Sequence, residues 1–179
     1  MVDPERQGDI PFHQSDRGIG VQRPGIREKL GGGQEERDNK GSLLLFKPGV
    51  PAEKQFSNFK RSVILEHGDL PPVLDVERKE CDMHEVNKWL DLAERHYGVK
   101  PIVYSGCLFF KVLMDGRIDK RYPLWLYVDG RFKMAPDFND YDCLFWQFNQ
   151  SGGLKGVKGD VDMNLYVGDG GSFDGLLVK

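Results

Sequence analysis

The stretch Leu70–Glu77, LPPVLDVE, decides how the rest of the sequence is interpreted. Two prolines open a short apolar run that ends in two carboxylates one residue apart, Asp75 and Glu77. Residues i and i+2 of a β-strand point to the same face, so the two side chains would project together, with Cα atoms roughly 6–7 Å apart. Because apolar residues precede the pair, we predict that it lies at the C-terminal end of a buried strand. Active sites of parallel α/β folds lie at these strand ends.

Two carboxyl groups held this close suggest acid–base chemistry. Each charge disfavours ionisation of the other, so the two pKa values separate and give one acid and one base or charge stabiliser. The alternative is a strand end that carries two solvated acids.

The composition is that of a globular protein with one domain. The chain has 179 residues, of which 39% are hydrophobic, and this is enough for one substantial core. The formal net charge is -3. Nucleic-acid binding requires a positively charged surface, so we expect no nucleic-acid partner. No apolar run approaches the roughly 20 residues of a membrane span, and the N-terminus has no apolar core of a signal peptide.

The sequence favours neither a disulfide framework nor a metal site. The three cysteines are odd in number, and no two of them form a C-x-x-C pair, as a structural zinc site would need. The segment Asp160–Asn164 has the D-x-D-x-N spacing of a calcium loop, but Leu165 stands where that loop needs glycine. We therefore predict a strand there, with its polar residues on one face.

Strands alternate with helices from Leu43 onwards. The alternation, with strands roughly 25–30 residues apart, is typical of βαβ units and of a parallel sheet or barrel. The predicted strands lie at about 43–46, 71–77, 100–105, 123–128, 143–148 and 161–166.

Two helices have boundary signals. The first is predicted over 51–66, with a proline in its first turn and Gly68 as its C-terminal cap. The second begins after Asp82, which together with Glu85 resembles a capping box, and Gly98 would end it.

The first part of the chain has a different character. It is rich in glycine, glutamine and charged residues, and Gly31–Gly33 leads into a charged run, which is loop-like. We find no convincing strand or periodic helix before Leu43. The domain organisation is therefore predicted as an atypical, loop-like or disordered segment over 1–42 and a folded domain over 43–179.

Several predicted strands end in side chains that suit sugar binding: Tyr104, Trp125, Tyr127, Trp146 and Gln147. Aromatic faces stack on the apolar faces of sugar rings, while amide and carboxylate groups bond the hydroxyls. Each aromatic alone is more often a core residue. Their shared placement with a carboxylate pair favours a carbohydrate cleft.

Five motifs together resemble a known family. PPVLDVE, PIVYS, PLWL, FWQF and GDVDMN, in this order over about residues 43–168, resemble glycoside hydrolase family 25, the Chalaropsis-type lysozymes or N-acetylmuramidases. The resemblance implies a modified TIM-like (β/α) barrel in the α/β class. It also implies hydrolysis of the β-1,4 bond between N-acetylmuramic acid and N-acetylglucosamine in peptidoglycan, by a monomer with no metal or other cofactor. That substrate is extracytoplasmic, although the sequence shows no signal peptide.

The resemblance also implies roles for individual residues. Glu77 matches the general acid, which protonates the leaving glycosidic oxygen, and Asp75 matches the neighbouring carboxylate, which assists the transition state electrostatically. The positions that match the substrate-binding cleft are Asp162, Tyr104, Trp125 and Gln147. An oxocarbenium-like transition state does need a protonated acid beside a carboxylate that stays charged.

The N-terminal region departs from the family pattern. Members open with a strand of the type Gly-Ile-Asp-x-Ser, whose Asp is a further catalytic carboxylate. Asp3 is only a weak match, because it is one residue out of place and is followed by Pro4, which does not suit a central strand. We therefore expect a barrel that lacks or distorts its first strands, as a truncated start or a reading-frame error would produce.

Three functions remain open from the sequence. The first is an active muramidase. The second is a catalytically impaired, peptidoglycan-binding remnant of the same fold. The third is an unrelated α/β enzyme that uses Asp75 and Glu77 on another substrate.

Overall fold

The computed structural model describes residues 25–27, 38–128, 141–153, 158–168 and 170–179. Its main feature is a curled six-stranded sheet with two helices packed on its outer face. The elements in chain order are β1 (Gly25–Arg27), β2 (Asp38–Lys40), β3 (Leu43–Leu45), α1 (Ala52–Ser62), β4 (Val73–Asp75), α2 (Met83–Tyr97), β5 (Ile102–Gly106), α3 (Cys107–Phe109), a π-helix (Phe110–Met114), β6 (Leu124–Tyr127), β7 (Cys143–Gly152), β8 (Val161–Tyr166) and α4 (Gly170–Leu176).

The sheet has the order β3-β4-β5-β6-β7-β8. Strands β3 to β7 run parallel, and β8 is antiparallel to β7. The prediction of a mixed α/β fold with a TIM-like parallel sheet is therefore confirmed. Within the described ranges β3 and β8 do not pair with each other, so the sheet forms half of a barrel. This agrees with the expectation that the first barrel strands are lacking or distorted.

The absence of any strand before Leu43 is a prediction that needs correction. Strands β1 and β2 pair antiparallel and form a separate two-stranded sheet. Each has only three residues and no apolar alternation, so neither carries the sequence signal of a buried strand. Residues 1–24 and 28–37, which include Asp3 and the triple glycine, lie outside the described residues.

Helix α1 is shorter than predicted. Pro51 precedes its first residue rather than lying in its first turn, and the helix ends at Ser62 instead of near residue 66. Val63 is already extended, and its carbonyl accepts a hydrogen bond from the Tyr97 hydroxyl at 3.0 Å. Gly68 has a φ of +93° and lies beyond the helix end, so it is not the cap. A contact from α2 thus stops α1, and such a contact has no signal in the local sequence.

Helix α2 confirms its predicted ends, with one change. The Asp82 carboxylate caps it by accepting from the backbone N–H of His84 at 2.9 Å, and Gly98 ends it with a φ of +71°. Glu85 does not complete a capping box. Its carboxylate instead accepts the backbone N–H of Ala52 at 2.6 Å, which satisfies a free donor at the start of α1 and links the two helices.

The sheet has an apolar layer on each face. On the outer face α1 and α2 meet at Phe59 and Trp89, with ring centroids 5.3 Å apart, and Trp89 is fully buried. The inner face has its own cluster, built from Leu43, Leu70, Val73, Ile102, Tyr104, Trp125, Phe145 and Phe173. Because side chains alternate along a strand, Asp75 lies on the same inner face as Val73.

The C-terminal segment contacts both β8 and the loop that precedes β4. Phe173 of α4 packs on Tyr166 of β8, with ring centroids 5.1 Å apart. After α4 the chain reaches the loop that precedes β4, where Val178 donates to the Asp69 carbonyl and accepts from Gly68, both at 2.9 Å. None of the helices in the described ranges combines the length and apolar character that a membrane crossing requires.

Candidate active site

A row of inner-face side chains crosses the sheet in register. Asp75 of β4 aligns with Tyr104 of β5, Tyr104 with Trp125 of β6, and Trp125 with Phe145 of β7. Asp75 is the last residue of β4, so the row crosses near the C-terminal ends of the parallel strands. The predicted strand-end position is therefore observed for Asp75, whereas Glu77, predicted on the same strand, lies beyond its end.

Asp75 is a buried acid. It is 7% exposed, and its Oδ1 has no hydrogen-bond partner among the described residues. Removal from water, with a smaller contribution from the Glu77 charge, raises the pKa of Asp75 to about 8. At neutral pH the protonated form of this carboxyl group is therefore favoured.

Glu77 lies two residues past the end of β4 and is exposed at the rim. Partial desolvation raises the pKa of Glu77, and the Arg78 charge acts in the opposite direction. The pKa values of both carboxyl groups are thus raised, and the increase is larger for Asp75. The sequence-based roles give the proton to Glu77 and the charge to Asp75, and the burial of Asp75 works against that charge.

Tyr104 connects the acids of the site. Burial is the main reason that the pKa of its phenol is raised, and the charges of Glu77, Asp75 and Asp162 add to this effect. All three predicted carboxylates therefore lie within electrostatic reach of one hydroxyl, although they come from two distant parts of the chain.

Trp125 is a support of the cleft more than an open stacking surface. Only 2% of it is exposed, and its Nε1–H donates to Asn164 Oδ1 at 2.8 Å. Its ring lies between Phe145, at a centroid distance of 4.9 Å, and Tyr104, at 6.0 Å. Tyr127, two residues further toward the rim, is half-buried and is more accessible to a ligand.

Gln147 and Asp162 complete the site from β7 and β8. Gln147 aligns with Tyr127 on one side and with Asn164 on the other. It is 2% exposed, and in the described part of the chain its Nε2 has no hydrogen-bond partner. Desolvation raises the pKa of Asp162, the neighbouring Gln147 side chain lowers it, and the Glu77 charge raises it further.

The structure therefore brings together all six residues predicted from sequence, on the five neighbouring strands β4 to β8 and on the turn after β4. Over the residues that the structure describes, no group of three His, Cys, Asp or Glu side chains is placed to hold a metal ion. The further carboxylate that the family resemblance implies would come from the first strand, and its weak candidate Asp3 lies outside the described residues.

Comparison with known proteins gives a family. The family model described as Glycosyl hydrolases family 25 matches residues 44–157. The chain belongs to glycosyl hydrolase family 25. This membership removes the third alternative, an unrelated α/β enzyme with a similar carboxylate pair.

Relatives of this family 25 chain include the uncharacterized protein YegX of Escherichia coli O6:H1 and of strain K12. Each is 35% identical over 143 residues, which cover 75% of this chain and 52% of the relative. The chain thus spans about half the length of the curated relatives it matches.

Solved structures of the family share the fold. A family 25 glycosyl hydrolase from Bacillus anthracis aligns with a TM-score of 0.62 and 24% identity, over 74% of this chain and 66% of that one. The bacterial lysozyme from Streptomyces coelicolor aligns with a TM-score of 0.65 and 18% identity, over 76% and 71% of the two chains.

Two supporting residues of the family 25 site were absent from the sequence-based set. Asn164 holds the Trp125 indole, and Phe145 packs against the same ring. Asn164 could have been found from its two-residue spacing to Asp162 on the predicted strand. Its contact with Trp125 could not, because only the pairing of distant strands brings the two side chains together.

Proposed function

We propose that this chain is a lysozyme of the N-acetylmuramidase type. It would hydrolyse the β-1,4 bond between N-acetylmuramic acid and N-acetylglucosamine in peptidoglycan and so take part in cell-wall catabolism. The observation that carries the proposal is the Asp75–Glu77 pair at the C-terminal ends of the inner sheet face, next to an aromatic row, in a chain of family 25.

In this proposal Glu77 protonates the leaving oxygen. Its exposed position at the rim allows the glycosidic oxygen to approach, and its raised pKa favours the protonated form that a general acid needs. Asp75 stabilises the positive charge that develops on the sugar ring. Asp75 would do so in its ionised form, which the positive charge of the transition state favours.

The remaining site residues would bind the glycan strand. The buried Gln147 Nε2 has no hydrogen-bond partner among the described residues, which suits donation to a sugar hydroxyl or acetamido carbonyl. Asp162 would accept from a sugar hydroxyl at the edge of the cleft. Tyr104 and Trp125 would shape the floor, since both are largely buried.

A turbidity assay on purified cell walls tests this function. The wild type should clear the suspension, and Glu77→Gln, which keeps the shape but removes the acid, should slow clearing roughly 100-fold or more. Glu80→Gln is the matched control, because Glu80 is an exposed glutamate three residues away and should behave like the wild type. Equal clearing by the two variants would exclude Glu77 as the proton donor.

One observation favours a second candidate, a peptidoglycan-binding remnant with impaired catalysis. Within the described ranges the sheet is a half-barrel, and the two carboxylates come from one side of the cleft. In that case the wild type and Glu77→Gln would both leave the walls intact, while both proteins would still sediment with them.

A further inference from the structure

We propose that Ser105 is a positioning residue, which sets the geometry of the Asp75–Glu77 pair by holding the peptide between them. The inference rests on the proposed function for its catalytic consequence. Its structural part stands on contacts around Val76.

The backbone ladder ends at the carboxylate pair. The register between β4 and β5 runs up to Asp75 opposite Tyr104, and Glu77 lies beyond it on a non-strand segment. A general acid there would depend on a loop for its position, and misplacement by about 1 Å can cost roughly 100-fold in rate.

Neighbouring strands hold this segment from both sides. The Asp75 carbonyl accepts from the Phe46 N–H at 2.8 Å, next to β3, and the Val76 N–H donates to the Tyr104 carbonyl of β5 at 3.0 Å. The Ser105 hydroxyl adds the contact that follows, donating to the Val76 carbonyl at 2.7 Å. This carbonyl belongs to the peptide that leads directly into Glu77.

Burial makes the Ser105 contact decisive. Ser105 and Val76 are both 0% exposed, so water cannot easily replace a lost hydroxyl. Without its partner the Val76 carbonyl would be buried and unsatisfied, and the peptide would rotate to find another donor. Such a rotation changes where Glu77 points without removing any group that touches substrate.

Ser105→Ala, Ser105→Thr and a control variant separate this role from simple packing. We expect Ser105→Ala to lower kcat roughly 10- to 100-fold on peptidoglycan fragments, with KM within about twofold. Ser105→Thr keeps the hydroxyl and should restore most of kcat. Ser42→Ala removes another buried serine hydroxyl, just before β3, and should behave like the wild type.

A readout without activity keeps the two proposals distinguishable. Carboxyl carbon NMR should show that the titration of Asp75 and Glu77 changes in Ser105→Ala but not in Ser42→Ala. Should Ser105→Ala not fold, Ser105→Cys, with its weaker donor, takes its place in both measurements. A wild type without hydrolysis, but with this titration change, would reject the muramidase function and keep the positioning role. An unchanged titration together with an unchanged kcat in Ser105→Ala would overturn the positioning role.

Discussion

At the scale of single residues, Asp75 is held in a position that works against stability. Burial raises its folded-state pKa to about 8, whereas an exposed Asp titrates near 3.9. Between these values the folded chain keeps a proton that the unfolded chain releases, so the free energy of unfolding falls as pH rises from about 4 to about 8. Stability given up at a buried acid in a cleft is a pattern expected of functional sites.

Replacement of this acid should therefore stabilise the protein in a pH-dependent manner. We expect Asp75→Asn to raise the free energy of unfolding by roughly 1–3 kcal/mol at pH 8 and to have little effect near pH 4. Urea unfolding at pH 4, 6 and 8 measures this trend. Asp174→Asn, at an exposed position of α4, is the control without such a trend. If Asp75→Asn raised the free energy of unfolding equally at all three pH values, the raised pKa of Asp75 would be contradicted.

At the scale of elements, the two outer helices are joined by a cap that crosses between them. The Glu85 carboxylate accepts the Ala52 N–H at 2.6 Å and also lies 3.8 Å from the Lys88 ammonium. A negative charge at a helix N-terminus is favourable, because it meets free N–H donors and the positive end of the helix dipole.

Removal of this carboxylate should weaken the packing of α1 on α2. We expect Glu85→Ala to cost about 1–2 kcal/mol in the free energy of unfolding, and Glu85→Gln, which keeps an acceptor oxygen, about half of that. Chemical denaturation gives both values, and Glu80→Ala provides the baseline for loss of an exposed glutamate just before the same helix. If Glu80→Ala lowered the free energy of unfolding as much as Glu85→Ala, the hydrogen bond from Ala52 to Glu85 would not contribute to stability.

The elements also separate what the sequence can predict from what it cannot. Both ends of α2 depend on local chemistry, a capping Asp82 and a left-handed Gly98, and both are predictable. The end of α1 depends on the Tyr97 hydroxyl, which lies 34 positions from Val63. The Asp-x-Glu spacing likewise predicts one half of the site. The indole contact from Trp125 to Asn164 spans 39 positions and follows only from the sheet order.

At the scale of the whole molecule, the half-barrel needs a cover for its inner apolar face. Part of that cover comes from α4, because Phe173 is buried in the same cluster as Tyr104, Trp125 and Phe145. The pairing of Val178 with Gly68 and Asp69 anchors the segment after α4 beside β4. The C-terminal segment thus supports the same face of the sheet that carries the candidate active site at its other end.

The integrity of the inner face should therefore depend on one aromatic side chain outside the sheet. We expect Phe173→Ala to lower the free energy of unfolding by roughly 3–4 kcal/mol, since it leaves a cavity against Tyr166 and the neighbouring core. Phe148→Ala is the matched control, because Phe148 is 39% exposed and should cost less than about 1 kcal/mol. Both apolar layers pack on the same sheet, so we expect Phe173→Ala to unfold in a single transition at lower denaturant concentration. Tryptophan fluorescence and circular dichroism should report the same midpoint. Two separate transitions in this variant would mean that the inner face and the outer helices fold independently, and that α4 supports only the site.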